Sequence, residues 1–74
     1  MGGIFIKRLS LLTPRELEIF KLLIQNNTTR TIAETLNISE KTVRNHISNV
    51  IQKLGVSGRT QAIVELFKLE ELEL

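Results

Sequence analysis

The sequence has no cysteine, tryptophan or tyrosine, and only one proline and one histidine in 74 residues. Each absence removes a class of function. Without cysteine there is neither a disulfide framework nor a thiolate metal site. His46 alone cannot supply a set of imidazole ligands. The three phenylalanines are the whole aromatic content, too few for the stacking platforms that hold single-stranded RNA. No stretch reaches the roughly 18 consecutive apolar residues of a membrane span. The N-terminal MGGIFIKRLSLL places Lys7 and Arg8 after its apolar trio, the reverse of a secretory signal. Ile6 stands where a myristoylation motif takes Ser or Thr. No acid/base pair, nucleophile–base set or glycine-rich phosphate loop is visible, so no enzyme, metal or cofactor is expected. The expectation is a cytoplasmic protein with no membrane attachment.

What the chain does contain suits one small domain. Hydrophobic residues make up 42% and charged residues 24%, a globular rather than a disordered balance. The net charge of +2 conceals a segregation. Lys41, Arg44, Lys53 and Arg59 fall in a segment without acids, whereas Glu65, Glu70, Glu71 and Glu73 crowd the end of the chain. A merely solvated surface would mix its signs, so the basic segment points to a polyanionic partner.

Four helices follow from local signals, with residues 1–11 read as an irregular arm and 12–74 as the domain. Ile4, Phe5 and Ile6 give that arm an apolar trio. Thr13, Pro14 and Glu16 form a capping box with Pro at the first helical position. Leu17, Phe20, Leu23 and Ile24 continue the first helix at helical spacing, and Asn26 and Asn27 end it. Thr28 or Thr29 caps a short second helix with Ile32, Ala33 and Leu36 inside. Asn37 and Ile38 break it. Ser39 caps a third helix that runs to about Leu54, where Gly55 stops it. Ser57 or Gly58 opens a fourth, with Ala62, Ile63, Leu66 and Leu69 as its inner stripe. Strand and hairpin signals are absent. The fold class is all-α.

The third helix has two unlike faces. At about 100° per residue, Val43, Ile47, Val50, Ile51 and Leu54 cluster on one side. Lys41, Asn45, Ser48 and Gln52 lie opposite, flanked by Arg44 and Asn49. Cations, amides and a hydroxyl, with no carboxylate, are the groups that bond base edges in the DNA major groove. A short helix, a turn and a longer polar-faced helix make a helix-turn-helix. The predicted partner is double-stranded DNA. His46 sits at the edge of the inner stripe, where packing or a bond to backbone is the expected role. Arg59 is left with two roles, a phosphate contact or a tie to the first helix through Glu16.

The motifs LTPRE (12–16), TIAETLNIS (31–39), KTVRNHISNVIQKLGV (41–56) and RTQA (59–62) resemble the LuxR/FixJ-type helix-turn-helix domain over nearly the whole chain. The resemblance implies a four-helix transcription regulator that binds promoter DNA as a dimer, with helix 39–54 in the major groove. It implies base contacts from Arg44, Asn45 and Ser48 and phosphate contacts around Thr28, Thr29, Thr42 and Lys53. Arg30, Lys41 and Asn49 complete the expected phosphate set. Three positions depart from the usual pattern: Asn26 replaces Gly, Thr31 an acid, and Ser48 a frequent Lys. The stretch SEKTVRNHISN, the ELEL ending and the stand-alone size resemble a spore-development regulator of this family, which implies control of sporulation genes. Most members carry a further N-terminal domain for which 74 residues leave no room, so DNA binding without such a domain is expected. RNA polymerase is left open as a further partner.

Two other readings remain at this level. A sigma-factor-like promoter reader also carries a helix-turn-helix, although the acidic ending does not favour it. A protein-interaction module would use the fourth helix, where Thr60, Val64 and Phe67 form an apolar strip beside the inner stripe. On the DNA-binding reading that strip is the expected two-fold dimer interface, with the arm around Ile4 and Phe5 as the alternative.

Overall fold

The computed structural model describes residues 11–73, and the expected arm lies outside them except for Leu11. Four helices follow in order: α1 (Pro14–Leu23), α2 (Thr29–Leu36), α3 (Glu40–Leu54) and α4 (Arg59–Lys68). No strand occurs among the described residues, in accord with the all-α expectation.

The helix starts are built from their own side chains. Thr13 Oγ1 accepts the Glu16 N–H at 3.1 Å, and Glu16 Oε1 accepts the Thr13 N–H at 2.9 Å. Both halves of the capping box are therefore formed. Thr28 caps α2 by accepting the Thr31 N–H, and Ser39 caps α3 by accepting the Thr42 N–H. Each cap satisfies an amide that the first helical turn leaves without a partner. α4 differs, because Gly58 caps it without a side chain. There Ser57 donates through both its N–H and its Oγ to Gln61 Oε1.

All four helices end in the same way. Asn26, Asn37, Gly55 and Glu70 take positive φ. Each donates its N–H to the carbonyl three residues back, and its successor donates to the carbonyl five back. This is the Schellman arrangement, which satisfies the last carbonyls of a helix. Asn tolerates the left-handed region by local side-chain bonding and Gly by lacking Cβ. Glu70 has neither advantage.

One core joins the helices. Ile19 and Phe20 of α1, Ile32 and Ala33 of α2, Val43, Ile47 and Val50 of α3, and Ala62 and Leu66 of α4 are buried, with Leu12 and Leu72 closing the ends. α3 packs against each of the other three helices. Two expectations shift here. In α1 the fully buried pair is Ile19–Phe20, while Leu17, Leu23 and Ile24 are only partly buried. The stripe runs through Glu16, Ile19, Phe20 and Leu23 at i, i+3, i+4 and i+7; a buried carboxylate at its first position disguises it. At the other end Leu69 stays outside the core. The turn at Glu70 brings Leu72 in instead, at 2% exposure.

Candidate nucleic-acid interface

The outer face of α3 carries the groups expected there. Lys41, Arg44, Asn45, Ser48, Asn49 and Gln52 are all exposed, while Val43, Ile47 and Val50 point inward. The face has one acidic border. Glu40, in the first turn, accepts from Arg44 at 3.3 Å. Both side chains are about half exposed, at 57% and 43%, so this pair is solvent-screened and weak. An incoming phosphate or guanine edge can take its place.

Beside this face lies an open cleft of about 510 Å³. It is lined by the loop before α2 (Asn26, Asn27, Thr28), by Thr29, by Arg44 from α3 and by Arg59 and Ile63 from α4, with Leu23 behind. Hence Thr28, Thr29 and Arg44, predicted separately, meet in one place. Arg30 does not line this cleft; it is highly exposed and pairs with Glu34 at 3.6 Å. The capping hydroxyls are partly engaged. Thr28 donates to Thr31 Oγ1 at 3.1 Å and Ser39 to Thr42 Oγ1 at 2.9 Å. This leaves the hydroxyl protons of Thr31 and Thr42 available to an acceptor. Thr31, which is not among the contact residues expected from the sequence, does not line the cleft.

Lys53 is differently placed from the other cations. Its Nζ donates to Glu16 Oε1 at 2.6 Å, and Glu16 is only 3% exposed. Lys53, not Arg59, is thus the tie between Glu16 and the rest of the fold. Burial pushes the Glu16 carboxyl up. The Lys53 hydrogen bond, the Thr13 N–H and the charges of Lys53 and His46 outweigh that, and hold it below the ordinary glutamate range. His46 is half-buried, and its Nδ1 is shielded without a hydrogen-bond partner among the described residues, so of its two expected roles the backbone bond is not made there.

This depressed carboxyl has a consequence in acid. A group with a lowered folded-state pKa contributes stability above its unfolded value, about 4.3 for glutamate. That contribution is lost as pH falls through the folded value. Denaturant titrations between about pH 6 and pH 3 should show a loss of stability toward acid that is smaller in Glu16→Gln. Parallel losses in both proteins would assign the acid sensitivity to other carboxylates.

On α4, Val64 is 50% exposed and Thr60 is exposed. Together with Val56, Gln61, Glu65 and Lys68 they line a shallow groove. Phe67 is partly buried and packs against the core, so the strip expected over Thr60, Val64 and Phe67 is apolar outward mainly at Val64. No helix among the described residues is long and apolar enough to cross a membrane. No group of metal-ligating side chains occurs among them either.

A short helix, a left-handed turn at Asn37 and a longer helix with a basic, amide-rich outer face define the class, a helix-turn-helix of the major-groove type. Residues 10–66 match the family described as bacterial regulatory proteins, luxR family, and the chain belongs to that family as a DNA-binding transcription regulator and not an enzyme. It is 67% identical over 64 residues to the spore germination protein GerE of Bacillus subtilis (strain 168), covering 86% of each chain. It is 52% identical over 62 residues to the transcriptional regulatory protein DegU of Brevibacillus brevis, covering 84% of this chain but 26% of that one. Among solved structures, the transcription factor GerE matches with a TM-score of 0.86 at 66% identity, over 88% of this chain and 97% of that one.

Proposed function

We propose that the protein binds promoter DNA as a homodimer, with α3 of each subunit in the major groove, and controls genes of spore development. The acid-free outer face of α3 carries this reading. Arg44, Asn45 and Ser48 are the base-reading residues: a guanidinium suits guanine O6 and N7, and a carboxamide suits adenine N6 and N7. Thr28, Thr29, Arg30, Lys41, Thr42, Asn49 and Lys53 hold the flanking phosphates, which fix register without reading sequence. The groove around Thr60 and Val64, shouldered by Phe67, is the dimer surface. The spore role draws on the likeness to the Bacillus subtilis spore germination protein. The protein acts in the cytoplasm, where promoter DNA and RNA polymerase are found, and polymerase is a further partner.

The test is site selection from a random duplex pool. Arg44→Ala should lose about 1–3 kcal/mol of affinity for the preferred site and relax the preference at one base position. Arg44 is the cleaner probe, because its one partner among the described residues is the half-exposed Glu40. Lys53 is not, since its replacement would also strand the buried Glu16 carboxylate. An Arg44 variant that kept the same preferred site and lost affinity evenly for all duplexes would remove Arg44 from the base-reading set. Failure of the wild-type protein to bind any duplex would favour a protein-interaction module.

A further inference from the structure

Arg59 stands apart from the other arginines. Of the four among the described residues, Arg15, Arg30 and Arg44 each pair with a glutamate. Arg59 makes no hydrogen bond or ion pair there. The acid with which it could have paired across the fold, Glu16, is taken by Lys53. Arg59 instead lines the cleft beside the outer face of α3, together with Arg44, Thr28, Thr29 and Asn26. No carboxylate lines that cleft. Two guanidiniums from different helices line it together with hydroxyls and amides. Arg44 is already offset by Glu40, so it is Arg59 that brings an uncompensated positive charge to the open cavity, where an anion would be favoured.

We infer that Arg59 anchors a single phosphodiester of bound duplex DNA in this cleft, which it lines together with Thr28 and Thr29. This inference rests on the DNA-binding reading above and adds a contact to it. A phosphodiester fits the site chemically. It carries one negative charge and oxygens that accept the paired N–H groups of a guanidinium. The duplex also explains how the anion arrives, because Arg44 belongs both to the cleft wall and to the major-groove face. A strand whose bases met Arg44 would bring its backbone to the cleft that Arg44 lines. Arg59 stands at the first position of α4, and so fixes the register of that backbone relative to the fourth helix.

The experiment compares wild type with Arg59→Gln and Arg59→Lys in duplex binding over a range of salt concentrations. Loss of one phosphate contact should lower the slope of log K against log salt by about 0.9. Arg59→Gln is expected to show that decrease with an unchanged preferred site and an unchanged thermal melt. Arg59→Lys should recover most of the slope. Duplexes with a neutral methylphosphonate at single backbone positions then locate the contact. One position should weaken wild type but leave Arg59→Gln unaffected. If wild type binds and Arg59→Gln keeps the full slope, the inference falls while the DNA-binding reading stands. A melt lowered in step with affinity would make Arg59 a structural residue, and the inference would fall in the same way. A wild-type protein with no duplex affinity overturns both.

Discussion

Replacing Phe20 by alanine is expected to lower stability by about 3–5 kcal/mol and to leave much of the protein unfolded at growth temperature. Phe20 is the largest of the fully buried side chains, at 0% exposure, and it packs in the core that holds α1 against α3. A chain of this size commands only about 4–11 kcal/mol in total, because a small domain buries a modest share of its surface. Ile47, on the facing side of α3 at 3% exposure, should cost about 2–5 kcal/mol on the same substitution. Circular dichroism melts measure both. A loss of about 3 kcal/mol corresponds to a fall of about 12 °C or more in Tm for a domain of this length. A Phe20→Ala melt within a few degrees of wild type would mean that the core collapses around the hole, and that this side chain does not organise it.

Charging the α4 groove with Val64→Glu is expected to abolish cooperative binding to paired half-sites. Linking two recognition helices can strengthen binding by about 10²–10⁴ over one alone, provided that half-sites lie about 34 Å apart or a multiple of that. A carboxylate at the centre of a two-fold surface meets its own copy, and the like charges repel. Val64 is half exposed in the single chain, so its replacement should leave the melt and single half-site binding nearly unchanged. Phe67→Glu is a poorer probe, because that ring also packs on the core. Sedimentation and gel-shift titrations read the result. Undiminished cooperativity in Val64→Glu would move the dimer contact to another surface.

Features set by near neighbours were legible in the sequence, and those set across the fold were not. Thr13, Thr28 and Ser39 announce helix starts because each cap bonds an amide three residues on. Asn26, Asn37 and Gly55 announce helix ends because few other residues adopt positive φ at low cost. Glu70 does the same work with no such signal, which is why the entry of Leu72 into the core was hidden. The outer face of α3 could be read from its period alone. The Lys53–Glu16 bond joins residues 37 positions apart. From the sequence Arg59 was as good a partner for Glu16; only the packing of α3 on α1 decides between them. The cleft is assembled from all four helices and the loop before α2, so its residues were predictable singly but their convergence was not.

The division of α3 into two faces separates two kinds of selection. The inner face serves as the common packing surface of all three other helices, so change there is answered by the stability of the whole domain. The outer face supports nothing but the exposed Glu40–Arg44 pair, and surface changes of that kind usually alter stability by no more than about 0.5 kcal/mol. On the proposed base-reading role of Asn45 and Ser48, substitutions there would change which promoters are recognised while leaving the fold as it was. On that reading a lineage would rewire its set of target genes one side chain at a time, at little cost to the fold. The same separation lets an engineer vary these positions as a library on a fixed scaffold.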